Sequence, residues 1–311
     1  MASATDTLAG ILLLGDANNA DIDVSDLLDD APLIRAMAAV TSSQGTSHKY
    51  NKRTVAAGVG FRSIGSGLDN SAGSIEQITV ALKLLDATPR RDQGAAAGYK
   101  GGAEAYMANE ARWSLRAAFA QAEKQIILGT GNAAGGFAGF NDSVFIDDQG
   151  DGMVVDAGGS GGNSVYLIRS TPDDVALVTN GEIEVGDLQG VSIYDGSASY
   201  PGWQLPILSW LGLQVGNAFG ISRIYNLDGT SGNTLTDDLI AEAYAKHPVG
   251  SKPTHIVMGR EEQRQLQNSR TATTTTGAPA PFPTMWENLP IIVTDALVSN
   301  AGGTPATTTT T

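Results

Sequence analysis

Hydrophobic and polar positions alternate along this chain in two different periods. Ile78, Val80, Leu82 and Leu84 take turns with Gln77, Thr79, Ala81 and Lys83, the period of two expected of a half-buried strand over Ile75 to Leu85. A second strand-like run covers Ser47 to Arg62, and the stretch between them, Ser63 to Ser74, is full of Gly, Ser, Asp and Asn. The three together predict a long hairpin with a loose tip. Two strands cannot bury a face on their own, so the hairpin calls for a partner surface.

The period changes after a breaker region from Thr88 to Gly102. Ala108, Ala111, Leu115, Phe119, Ala122 and Ile126 recur at spacings of three and four, one stripe of a helix over about Glu104 to Leu128 that Gly129 stops. Its many alanines predict a close-packed neighbour. Upstream, residues 1–23 show no sustained period and read as an extended arm. Ser25 can cap a short helix, and Asp30 and Pro32 start another through Leu33, Ile34 and Met37 to about Thr41. Downstream, 129–164 reads as acidic glycine-rich loop. Val165–Ile168 and Val175–Val178 read as strands, and 211–228 as the best strand, with Leu211, Leu213, Val215, Phe219 and Ile221 on one face. From Thr234, which caps a helix to about Lys246, the chain resembles a small α/β unit: a strand His255–Met258, a helix Glu261–Asn268, a loop Thr271–Pro283 and a strand Leu289–Thr294. The end, Thr307 to Thr311, is expected to be poorly ordered.

Composition narrows the function. The 311 residues hold 38 glycines and only 17% charged residues, which suits a loop- and sheet-rich fold rather than a helical bundle. The absence of cysteine removes disulfides, thiolate catalysis and Cys-ligated zinc. The longest early apolar run, Leu8 to Leu14, is too short to span a bilayer and lacks the basic flank of a signal peptide, so the chain reads as cytosolic, without a membrane partner. A net charge of −14 is wrong for gripping nucleic acid, which needs excess Lys and Arg. The charge is also split. Residues 31–68 hold Arg35, Lys49, Lys52, Arg53 and Arg62 and no acid, whereas 125–200 hold eleven acids and one base, Arg169. Either each is a solvated face, or the basic segment of one copy sits on the acidic segment of the next.

Candidate chemistry is thin. His48, His247 and His255 have no metal-ligand spacing. Gly158-Gly159-Ser160-Gly161-Gly162 matches the spacing of a nucleophile elbow, but a strand rather than a helix follows it. The glycines 129, 131, 135 and 136 miss the dinucleotide spacing and follow a helix. Asp147, Asp151 and Gly152 match part of a calcium loop whose twelfth position is Gly158 instead of Glu. The pairs Asp147-Asp148, Asp173-Asp174 and Asp237-Asp238 are adjacent, so their carboxylates diverge. No active site and no cofactor site emerges, and the reading is a structural protein, not an enzyme.

The order of elements carries a resemblance. The hairpin with GFRSIGSGLDNS (60–71), the helix ending IILGTGNAAGGFAGFND (126–142), the strand segments SVYLIRSTPDDVALV (164–178) and LGLQVGNAFGISRIYNLD (211–228), and HIVMGREEQRQLQNSR (255–270) with MWENLPIIVTDAL (285–297) resemble the major capsid proteins of tailed double-stranded DNA phages. The likeness runs from about Ser25 to Ser299. It implies an α+β, HK97-like fold: an N-terminal arm (1–46), an extended loop (47–87), a peripheral domain (88–233) built on a spine helix at about 104–128, and an axial domain with tail (234–311). It implies self-assembly into hexamers and pentamers of an icosahedral shell around phage DNA that is enclosed without sequence-specific binding. It further implies a place in the virion capsid, assembly in the host cytoplasm, and scaffolding, portal and decoration proteins as partners. The intersubunit contacts expected on this reading are Lys49, Lys52, Arg53 and Arg62 against Asp147, Asp148, Asp173 and Asp174. Some relatives cross-link a Lys to an Asn, but Lys49 and Lys52 lie near the hairpin base rather than its tip. The alternatives are an encapsulin-type compartment of the same fold, a hydrolase using Ser160, and a carbohydrate-binding β-protein, which four tryptophans without a cluster do not favour.

Overall fold

The computed structural model describes residues 28–297 except 56–57, 68–72, 134, 143, 147–151, 195, 231 and 273–278. Residues 1–27 of the arm, with the helix expected at Ser25, the pair Asp147-Asp148, Asp151 and the Thr-rich end therefore lie outside the described residues.

In chain order the elements are α1 (Pro32–Ala36), β1 (Ala38–Thr41), β2 (Ser47–Val55), β3 (Ser74–Ala81), β4 (Lys83–Asp86), β5 (Arg90–Asp92), α2 (Gln93–Ala97) and α3 (Gly102–Leu128). Then come β6 (Val154–Asp156), β7 (Asn163–Ile168), β8 (Val175–Val185), β9 (Gln189–Tyr194), β10 (Ser199–Gln204), β11 (Ile207–Val215) and β12 (Ile221–Leu227). The last part is α4 (Asp237–Ala245), β13 (His255–Met258), α5 (Arg260–Ala272), β14 (Met285–Trp286) and β15 (Leu289–Val293). The strands form sheets β1-β8-β11-β4, β5-β10-β9 and β14-β15-β13-β7-β12-β6, and the ribbon β2-β3.

Two cores share one wall. Along β7, Tyr166 and Ile168 face the core under α3, while Val165 and Leu167 face the core under α4 and α5. Alternation on a strand sends neighbours to opposite faces, and here both faces are covered, so β7 is buried almost throughout. The six-stranded sheet joins strands from 154–227 to strands from 255–293, so it crosses the boundary expected at 233/234.

The helix α3 runs through 27 residues, about 40 Å at ~1.5 Å per residue. Leu115, Phe119, Ala122 and Ile126 are buried as the stripe requires, but Ala108 is exposed and Met107 takes its place. Gly129 ends the helix at φ 57°, and a Cβ there would fall 2.4 Å from the amide nitrogen of Gly139, so only glycine fits.

Four expectations are corrected. The helix expected to reach Thr41 stops at Ala36, because Ala38–Thr41 pair in parallel with Ala176–Thr179 of β8. The alternation expected through Leu84 changes phase at Leu82: Leu82 is buried between β3 and β4, and Leu84 is exposed. The stretch 211–228 is two strands in different sheets, split by a turn in which Phe219 is 41% exposed. The cap of α4 is Thr236, whose hydroxyl accepts from the Leu239 amide, and not Thr234.

Candidate assembly surface

The ribbon β2-β3 runs in antiparallel register from Ser47 opposite Ala81 to Val55 opposite Ser74. Its base is clamped to β11. His48 Nδ1 accepts the Ser43 amide at 3.2 Å, which leaves the ring proton on Nε2 to donate to Gln214 Oε1 at 2.8 Å. The amide group of Gln214 donates in turn to the carbonyls of Pro172 at 3.1 Å and Asp173 at 3.4 Å. Two residues along, the Tyr50 hydroxyl accepts the Val215 amide at 3.4 Å, and burial pushes the Tyr50 phenol above its ordinary value. His48 is thus a structural residue that joins two elements.

Above the clamp the ribbon meets β11 and the segment 136–145 across an apolar cleft of about 240 Å³, floored by Ile78, Val80, Phe137, Phe145 and Leu213. Lys52 and Lys83 stand on its lining. The opposite end of the hairpin is bare. Val59, Phe61 and Ile64 are 90%, 106% and 106% exposed, around a turn in which Arg62 donates to the Ser66 carbonyl at 3.1 Å.

Of the expected contact residues, Asp147 and Asp148 lie outside the described residues. Lys49 is exposed, and its amide donates to the Ser43 hydroxyl at 3.0 Å. Arg53 is paired through its backbone with Ile75. Asp173 is exposed. Asp174 is engaged within the chain by Arg169 Nε at 2.5 Å, the Thr171 hydroxyl at 2.7 Å and Asn217 Nδ2 at 3.1 Å. Burial pulls its carboxyl upward, but the bonds from Thr171, Arg169 and Asn217 together hold it below the ordinary value. Among the described residues no basic side chain of the hairpin bonds to Asp174.

Pattern reading missed one buried group. Glu123 is 1% exposed and accepts the amides of Leu33 at 2.8 Å and Ile34 at 3.3 Å, the first turn of α1, and the hydroxyl of Thr294 beyond β15. One carboxyl on α3 therefore ties both ends of the described chain together. Burial raises it above its ordinary value, against the hydrogen bonds that lower it. The signal was legible: Glu123 lies four residues after Phe119 and three before Ile126, inside the apolar stripe.

The chemical candidates stand apart from one another. Ser160 sits on an exposed loop between strands β6 and β7, its amide 3.4 Å from Asp228 Oδ2, with no helix after it. His247 is buried against the Ser222 hydroxyl at 2.9 Å, and His255 bonds its neighbour Thr254 at 2.8 Å. Among the described residues no group of three or more His, Cys, Asp or Glu side chains could hold a metal ion, and no helix is long and apolar enough to cross a membrane.

The sequence profile of a family described as Major capsid protein GP7 matches residues 16–301. The chain belongs to this family. As a major capsid protein it has a structural role, building the shell of a capsid. Its fold is similar to that of a chain in the structure of bacteriophage Epsilon15, with TM-score 0.59 and 15% identity over 83% of this chain and 84% of that one. The HK97-like, mixed α and β class follows from that likeness. Weaker matches are to the capsid of bacteriophage JBD30 (TM-score 0.48, 10% identity, 92% of this chain and 98% of that one) and to the SrpI encapsulin of Synechococcus elongatus (TM-score 0.41, 8% identity, 64% and 88%). Comparison with curated protein sequences gives no significant match.

Proposed function

We propose that this capsid protein assembles into hexamers and pentamers of an icosahedral shell that encloses double-stranded phage DNA, with the hairpin of each copy lying over its neighbour. The observation that carries this reading is the ribbon β2-β3, clamped at its base and bare at its apolar tip. A feature so exposed costs solubility in a lone chain and gains a role when a copy covers it. On this reading 1–46 is an arm, 47–87 the extended loop, 88–233 the peripheral domain with α3 as its spine, and 234–311 the axial domain with its tail. Lys49, Lys52, Arg53 and Arg62 then meet acidic surface of the next copy. Because Asp174 is engaged by Arg169 in its own chain, exposed Asp173 is the better receptor of that pair. Assembly in the host cytoplasm, with scaffolding, portal and decoration proteins, belongs to the same proposal.

The test is the double reversal Lys52→Glu with Arg53→Glu. Purified variant should stay as small oligomers in buffer where the parent forms particles, and raising salt should weaken the parent's assembly too. Particles of normal size and yield from the variant refute the charge contact. Extracting nucleic acid rather than a cargo enzyme from particles made in infected cells separates a capsid from an encapsulin-type compartment.

A further inference from the structure

The long helix α3 carries an exposed face whose charge is opposite to that of the chain. Between Ala111 and Ala133 the sequence holds three bases, Arg112, Arg116 and Lys124, and one acid, Glu123. Glu123 is buried against α1, so the acid is withdrawn from the surface while all three bases are exposed. Arg112, Arg116 and Lys124 lie on one i, i+4 row, with Ala120 at the remaining place. At ~1.5 Å per residue the row is about 18 Å long. Trp113 stands beside it, 68% exposed, whereas Trp203 and Trp210 are half-buried and Trp286 is buried. The helix α1, held against α3 by Glu123, adds Arg35 at the edge. The acids there, Asp29 and Asp30, are bonded to Arg35 and Arg116. Four bases thus meet two acids on this face, in a chain with 33 acids and 19 bases overall.

We propose that this face of α3 lines the lumen of the shell and touches the backbone of the enclosed DNA, with Arg112 and Lys124 on phosphates and the indole N–H of Trp113 as a neutral donor. This rests on the shell reading above and names the surface that meets the cargo. Charge decides the partner. One strand of a duplex carries a phosphate every ~3.4 Å of helix axis, so a row of about 18 Å spans about five of them. A polyanion is drawn to the one acid-poor face and repelled by the acidic remainder, which orients each copy with α3 inward. Ala117 and Ala120, between the bases, are too short to hold a duplex away. An indole offers a flat apolar body and a single donor, which suits the sugar–phosphate surface. A protein partner on the same face would have to take the bases out of water, at a cost that the phosphates avoid by supplying the counter-charge. Contacts to the backbone carry no sequence information, so the lining accepts any genome. Each copy contributes little, and the many copies of a shell add.

Titration of the unassembled full-length chain with a short DNA duplex at several salt concentrations tests the contact. Fluorescence reports it, because Trp113 is the most exposed of the four tryptophans. The logarithm of the binding constant should fall linearly with that of the salt concentration, and Lys124→Ala should make the slope shallower by about 0.9, the share of one phosphate. Lys49→Ala, which removes an exposed base from the hairpin, should leave the slope of the parent. Alanine is the best helix former, so Lys124→Ala at an exposed position of α3 keeps the fold. Absence of binding, an unchanged slope for Lys124→Ala, or a slope lost with Lys49→Ala instead overturns the assignment. So does a Lys124→Ala variant that alters the association of copies with one another and leaves the slope alone. The side of the shell is read with Lys124→Cys, the only thiol in the chain. A polymer-bound maleimide should label it in the unassembled chain and at least tenfold less in closed particles. Equal labelling in both overturns the lumenal placement. Failure of the unsubstituted chain to form particles would count against the shell reading instead, and the salt slope would still decide the DNA contact.

Discussion

At the scale of single residues, Glu123 shows how one buried acid organises the fold. Its carboxyl meets two amides at the start of α1 and one hydroxyl after β15, and no cation is bonded to it among the described residues. Replacing it with alanine strands the Leu33 and Ile34 amides, at a cost of about 1–3 kcal/mol for each buried donor left unpaired. Thermal unfolding of Glu123→Ala checks this, and an unchanged melting temperature contradicts it. The pH dependence has a definite sign. The folded value lies above the ordinary 4.5, so the unfolded chain releases this proton first as pH rises. The contribution is complete below 4.5 and is lost as pH climbs through the raised value. Glu123→Gln keeps an acceptor and removes the titration. Its melting temperature relative to the parent should therefore rise as pH climbs above 4.5. Glu262, also raised by burial, adds a slope of the same sign that both proteins share.

At the scale of elements, local and distant forces divide the structure. The long helix was legible because its apolar stripe is local and its end is enforced by Gly129. Gly129→Ala must displace the Gly139 backbone and adopt a positive φ, so a loss of about 2 kcal/mol or more is expected in denaturant unfolding. A loss under about 0.5 kcal/mol, the range of ordinary surface changes, contradicts this account of the helix end. The hairpin was legible for the same reason, since β3 alternates and its tip is rich in glycine. The end of α1 was not, because Ala38–Thr41 become a strand only by pairing with a segment 138 positions away, from Ala38 to Ala176. Likewise 211–228 alternates smoothly through a turn, and nothing in the alternation reveals that the chain passes from one sheet to another. The ribbon's clamp was equally hidden, since His48 and Gln214 are neighbours in space alone. Gln214→Ala removes bonds worth about 0.5–1.5 kcal/mol each. We expect a small change in monomer stability and a larger fall in assembly yield, because the ribbon loses its fixed angle. Equal losses in both would reduce Gln214 to an ordinary packing residue.

At the scale of the whole molecule, the sequence already indicated a chain incomplete by itself: a hairpin without a cover, charge divided between segments and no chemistry that converges. The family match over residues 16–301 and the likeness to a phage structure give that incompleteness a meaning. The individual contact residues were less legible. Pairing across copies depends on surfaces that no single chain brings together, and Asp174, chosen for its charge, is engaged by its own Arg169. Electron microscopy of the purified protein under assembly conditions decides whether the hairpin joins copies into a shell. Closed particles of uniform diameter are expected, with five- and six-fold clusters in which each hairpin crosses to its neighbour. A solution that stays monomeric, or particles in which every hairpin packs on its own subunit, would contradict it.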